Sequence, residues 1–236
     1  MKPVLQTRAA TSGRGLRGSA LMFLLLALPV GSTALGAATG LLPLPYELAI
    51  VDQRLPVVFR VHMLTSGLAL LLVPCAIASH GLSVHKLLGR SAAALVLAGG
   101  MTAIPVAMAS AASGAARAGF LLQALVWIAL VLLAVAAIRG GDRTRHMWLM
   151  LAVAAVASGA FWLRLASWAA VKLSLPYETV YAVAAWLSWV GPVCLIYLIA
   201  RHRVGDAVHH APGGRRPRSF TPLRWDAAPR GHAPPR

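Results

Sequence analysis

Apolar runs alternate with short basic connectors six times along the chain, near residues 19–39, 57–79, 90–111, 119–138, 147–171 and 179–200. A helix needs roughly 20 consecutive apolar residues to cross a hydrocarbon core, and each run meets or nearly meets that length while holding little charge. The pattern predicts an all-α polytopic membrane protein built as a six-helix transmembrane bundle. Gly67, Gly99, Gly100 and Gly159 fall inside the runs, where small residues let backbones approach closely enough for van der Waals packing. Pro29, Pro74, Pro105 and Pro192 also lie inside. A bundle tolerates them because neighbouring groups satisfy the freed carbonyls.

The sequence divides into a basic leader (1–18), the membrane domain (19–200) and a Pro-, Gly-, Arg- and His-rich tail (201–236). The leader, with Lys2, Arg8, Arg14 and Arg17, is expected to be flexible. The small residues at Ala34-Leu35-Gly36-Ala37-Ala38 have the character of a signal-peptidase site. The long leader and the five later spans favour a retained signal-anchor helix. The tail lacks apolar periodicity and buries too little surface to order itself, so it is expected to be disordered, with its arginines and Trp225 available to anionic lipid headgroups.

Composition agrees with the spans: 58% of residues are hydrophobic and 12% charged, where soluble domains carry roughly a quarter charged. The net charge of +16 is read as membrane anchoring and not as nucleic-acid binding. With the N-terminus inside, 17 of the 22 lysines and arginines fall on the inner side. The positive-inside rule then predicts that both termini are cytoplasmic. Cys75 and Cys194 sit alone within spans and read as packing residues.

Histidine carries the chemistry. His62, near the outer end of the second span, and His80, which follows its inner end, are 18 positions apart, as are His146 and Arg164 on the fifth. Eighteen residues are five helical turns, about 27 Å, so each pair lies on one stripe with a polar group near each membrane face. His85 opens the third span ahead of Gly89, Ala92, Val96 and Gly99. The topology gathers His80, His85 and His146 at the cytoplasmic side and His62 with Arg164 at the outer side. An intramembrane arginine normally seeks a partner, and Glu47, Asp52 and Glu178 are the acids expected nearby.

A b-type haem requires two neutral imidazoles from different helices at matching depth, with small residues leaving room. His85 and His146 meet the depth condition, and Gly89 leaves space. His62 and Arg164 suit a quinone carbonyl or a haem propionate. The rival use is a proton path, although the middle of the bundle has no carboxylates. Interfacial histidines that only hold helix ends are the plain alternative. Walker, dinucleotide, nucleophile-elbow and zinc-protease motifs are absent, and a Ser66–His62 dyad is a weak pattern. Whether the protein is an enzyme stays open.

Four elements stand out together: Phe59-Arg60-Val61-His62, His85-Lys86-Leu87-Leu88-Gly89-Arg90, Arg139-Gly140-Gly141-Asp142 leading to His146, and Leu163-Arg164-Leu165. Over residues 55–200 they resemble the bacterial membrane proteins of domain of unknown function family 2306. The resemblance implies importance for His62, His85, His146 and Arg164, with Gly89 and Arg90 completing the candidate cofactor-binding set. It also implies a bacterial inner (cytoplasmic) membrane location and names no activity. One departure is that the family follows its third histidine with basic residues, whereas His146-Met147-Trp148-Leu149-Met150 has none. A phosphate or propionate contact there is not implied. The leading expectation is a redox protein binding haem b or a quinone, with His85 and His146 on the haem iron. The alternative is a transporter, or an assembly or sensor subunit, with structural histidines.

Overall fold

The computed structural model describes the backbone over residues 3–209 and side chains over most of 15–202. Among the described residues the chain is all-helical: α1 (Pro3–Thr39), α2 (Tyr46–Arg54), α3 (Pro56–Ala78), α4 (His85–Ala109), α5 (Gly114–Arg139), α6 (Arg143–Lys172) and α7 (Tyr177–His209). Six of these contain segments long and apolar enough to cross a membrane. The protein is a multi-pass membrane protein, and the six spans fall where the apolar runs predict.

Three differences from expectation are local. α2 is an additional short helix in the connector after the first span. Its mixed sequence, Tyr-Glu-Leu-Ala-Ile-Val-Asp-Gln-Arg, is too short and too polar to register as a span, yet it buries Val51 against Ala34, Ala37, Phe59 and Met63. α1 begins at Pro3, so helix runs through the leader expected to be flexible. α7 continues to His209, past the expected start of the tail. The remaining tail, with Trp225 and the proposed headgroup contacts, lies outside the described residues.

Packing follows chain order. α1 lies on α3, α3 on α4, α4 on α5 and α5 on α6, while α1 and α3 also touch α6. The tightest contacts occur at glycines. A Cβ on Gly67 would stand 3.1 Å from Ala34 Cβ, and one on Gly100 would stand 2.7 Å from Ile128. Those on Gly119 and Gly159 would meet Ala185 and Trp189 of α7. Missing side chains thus set the interhelical spacing, as lipid-embedded packing requires. Val73, Val96, Val131, Val153 and Val156 fill the centre. Hydrogen bonds from Trp127 Nε1 to Val153 O (3.0 Å) and Gln123 Nε2 to Val156 O (3.1 Å) fix α5 on α6.

The antiparallel order gives the bundle two unlike ends. The basic end gathers the α3–α4 and α5–α6 turns, with Lys86, Arg90, Arg139, Arg143 and Arg145. Arg17 of α1 joins it by donating to His80 O at 3.2 Å. The opposite end gathers α2, the α4–α5 turn and the α6–α7 turn. There Arg54 donates to Ala109 O at 2.8 Å and Arg60 pairs with Asp52.

Candidate functional site

Both turns at the basic end are built alike. Gly81 (φ 86°) and Gly141 (φ 81°) adopt the left-handed conformation that glycine reaches without steric cost, and each reverses the chain into a helix carrying a histidine. After Gly141, Asp142 caps α6 by accepting from the Arg145 N–H at 2.9 Å. The His146 N–H then bonds Asp142 O at 3.0 Å. The Gly-Gly-Asp-x-x-x-His element is therefore a helix stop, a helix start and a histidine one turn later.

His85 Nδ1 donates to Ala76 O at 2.8 Å and His146 Nδ1 to Ala134 O at 2.9 Å. A carbonyl oxygen only accepts, so in each neutral ring Nδ1 carries the proton and the Nε2 lone pair is left bare. His80 packs edge-on to His85 with ring centroids 5.5 Å apart. The expected inner cluster is thus a His80–His85 contact on one hairpin and His146 on the other. Gly89 has no atom within 4 Å of where a Cβ would stand, and Arg90 is exposed.

The opposite end holds a denser polar group. A Cβ on Gly99 would stand 2.7 Å from Ser66 Oγ. Its absence lets α4 close on α3 until His62 Nδ1 is 3.1 Å from Gly99 O. Ser66 Oγ and Thr102 Oγ1 lie 3.3 and 3.4 Å from the same nitrogen. Because Gly99 O can only accept, Nδ1 is the donor and cannot act as a base toward Ser66. The Ser66–His62 dyad therefore lacks a general base at the contacting atom.

Arg164 lies on the α6 stripe with buried Val153 and Ala157 and is itself exposed. Its Nη1 donates to Ala160 O at 3.1 Å. His62 of α3 and Tyr181 of α7 are within electrostatic range of its charge. Tyr181 is stacked on Tyr177 and meets Phe120 edge-on, each with ring centroids 5.7 Å apart. Of the three acids expected near Arg164, Asp52 is held by Arg60 at 3.2 Å. Glu47 and Glu178 are exposed, and among the described residues none of the three makes an ion pair with Arg164.

Sequence reasoning missed Thr102, Tyr177 and Tyr181. Thr102 is three residues from Gly99 on the same helix face, a spacing visible in the sequence. The tyrosines open a helix whose histidines, His202 and His209, lie at its far end, so nothing marked them. The described residues contain no cluster of three or more metal-ligating side chains, and Cys75 and Cys194 are both free thiols. A separate apolar groove of about 710 Å³ runs between α6 and α7, lined by Trp162, Leu165, Val183, Leu187 and Leu195 among others, and by no histidine. Its exposed leucines suit acyl chains.

No curated protein and no solved structure matches the chain. A family model described as "Predicted membrane protein (DUF2306)" matches residues 59–200, from the residue that opens the His62 element through the last span. The matched region takes in both histidine turns, the His62–Gly99 contact and Arg164, and on that match the chain belongs to the DUF2306 family of predicted membrane proteins.

Proposed function

We propose that this protein is a membrane redox protein that holds a b-type haem through His85 and His146 at the basic end. One observation carries the reading. Each ring is anchored through Nδ1–H to a backbone carbonyl, which fixes the neutral tautomer and leaves Nε2 as the ligating atom. The two rings come from different helices at the same end, and the open space at Gly89 adjoins the first of them. Such a group supplies one-electron chemistry when bound. Lys86 and Arg90, both exposed beside His85, would offset propionate charge. The reading includes a bacterial cytoplasmic membrane with this end inside, supported by the lysine and arginine asymmetry. It also includes anionic headgroups as contacts of the basic tail.

The test is the visible spectrum of protein made with ample haem and purified in detergent. A Soret band that His85→Ala and His146→Ala each abolish, with folding retained, is the expected result. A folded, colourless protein would refute the reading.

One observation favours a second reading, a transporter, assembly or sensor subunit with structural histidines. The last four carbonyls of a helix lack intrahelical partners, and Ala76 O is one of these. His85 and Ser79 Oγ (2.9 Å) both satisfy it, so His85 also acts as a cap on α3. Ala134 O lies deeper in α5 and already has its helical partner, so this account explains His146 less well.

A further inference from the structure

The groove between α6 and α7 is apolar along its walls but has a hydroxyl at its floor. Trp162 and Leu165 of α6 form one wall, and Val183, Leu187 and Leu195 of α7 the other. The buried polar side chains among the described residues are Ser79 and Ser188, each 6% exposed. Ser79 donates to Ala76 O at 2.9 Å, and Ser158 and Ser167 of α6 likewise bond carbonyls of their own helix. Ser188 Oγ has no hydrogen-bond partner among the described residues. It lies beside Gly159, 3.4 Å from where a Cβ would stand. No fully enclosed side-chain oxygen or nitrogen there lacks a partner, so Ser188 Oγ is not enclosed, and the groove that Ser188 lines is what it opens onto.

Trp162 is ten residues from the end of α6 at Lys172, and Ser188 is eleven from the start of α7 at Tyr177. Both therefore lie about 15 Å from the α6–α7 turn, near the middle of a core roughly 30 Å thick. From Thr179 to Leu195 the groove follows α7 for about 24 Å, longer than the half-core that one acyl chain occupies. About 710 Å³ over that length averages about 30 Å² in section, against roughly 80 Å² for a helix with its side chains. The groove admits a single hydrocarbon chain or the edge of a flat ring, and no helix.

Acyl chains satisfy the leucines but leave the Ser188 hydroxyl unpaired in hydrocarbon, which is costly. A charged group at that depth would be costlier still. A neutral carbonyl on a planar ring meets both conditions, accepting from Ser188 Oγ and lying against the Trp162 indole. We propose that the α6–α7 groove binds an isoprenoid quinone, its ring at the depth of Ser188 and Trp162 and its single tail along the α7 leucines. The site shares no residue with His85 and His146, so it stands whether or not haem is bound there.

The experiment titrates decylubiquinone into the full chain in detergent, with no haem supplied, and reads the dissociation constant by calorimetry. Ser188→Ala should weaken binding about fivefold, the scale of one hydrogen bond. Ala166→Phe, which fills part of the groove, should weaken it at least tenfold. Ser158→Ala removes a hydroxyl already bonded within α6 and should leave binding unchanged. Loss in the first two variants and not in the third supports the site. Full binding by Ser188→Ala would leave a groove for hydrocarbon chains alone, and full binding by Ala166→Phe would put the quinone elsewhere. A dimer that Ala166→Phe dissociates would make a second copy the occupant. Each of these, or no binding by wild type, overturns the proposal. Should Ala166→Phe not fold, Trp162→Leu replaces it: a several-fold loss supports the site, and no loss overturns it.

Discussion

His62 Nδ1 lies 3.1 Å from the carbonyl oxygen of Gly99, a contact between α3 and α4 that exists because residue 99 has no side chain. A Cβ there would stand 2.7 Å from Ser66 Oγ and 3.4 Å from the Ser66 backbone. One small residue therefore sets both the spacing of two membrane helices and the orientation of a polar ring between them. Gly99→Ala is expected to cost about 1–3 kcal/mol through overpacking, read as a lowered unfolding midpoint in detergent. Gly191→Ala, with no atom within 4 Å of the new Cβ, is the matched control and should be neutral or slightly stabilising.

The two histidines at the basic end should separate in protein free of haem. His85 satisfies a carbonyl at a helix terminus, whereas His146 bonds one already in the α5 ladder. His85→Ala should cost about 1 kcal/mol, the scale of a net hydrogen bond, and His146→Ala measurably less. Unfolding of the two apo variants in urea checks the order, and the reverse order would contradict this account of the caps.

Trp127 joins α5 to α6 by burying its ring (8% exposed) and donating from Nε1 to Val153 O. Trp127→Phe keeps most of the ring and should cost about 1 kcal/mol from the lost bond. Trp127→Ala should cost about 3–5 kcal/mol because it also opens a cavity. Similar losses in the two variants would show that packing contributes little at this position.

Orientation is checked by cysteine labelling. In a chain whose native Cys75 and Cys194 are replaced by alanine, Arg117→Cys should react with a membrane-impermeant maleimide in intact cells. Arg143→Cys should react only after the cells are opened. The opposite pattern would invert the proposed topology.

The spans were legible because hydrocarbon imposes a length and a polarity that a sequence states directly. Gly67, Gly99, Gly100 and Gly159 were legible as contact points for the same reason, since close approach demands small residues. α2 was not, because its burial of Val51 depends on the ends of α1 and α3 that form its pocket. Among the site residues, the 18-residue spacing placed His146 and Arg164 on one stripe of α6, whereas the spacing from His62 to His80 runs past the end of α3 at Ala78, so His80 lies in the turn and not on that helix. Neither spacing could reveal that Asp52 is engaged by Arg60, a contact fixed by where α2 lies. Tyr181 meets Phe120 through the packing of α7 on α5, which no local pattern encodes. The hydrogen-bond state of each histidine depends on a carbonyl of the preceding helix or, for His62, the following one. The residue type was readable while its tautomer was not.

Electron paramagnetic resonance of the oxidised, haem-supplied protein tests the central claim most directly, because it reports the axial ligands of the iron itself. The account predicts a low-spin ferric signal of two imidazole ligands that turns high-spin or disappears in His85→Ala and in His146→Ala. A folded protein that gives no haem signal, or one whose signal survives both substitutions, would contradict it.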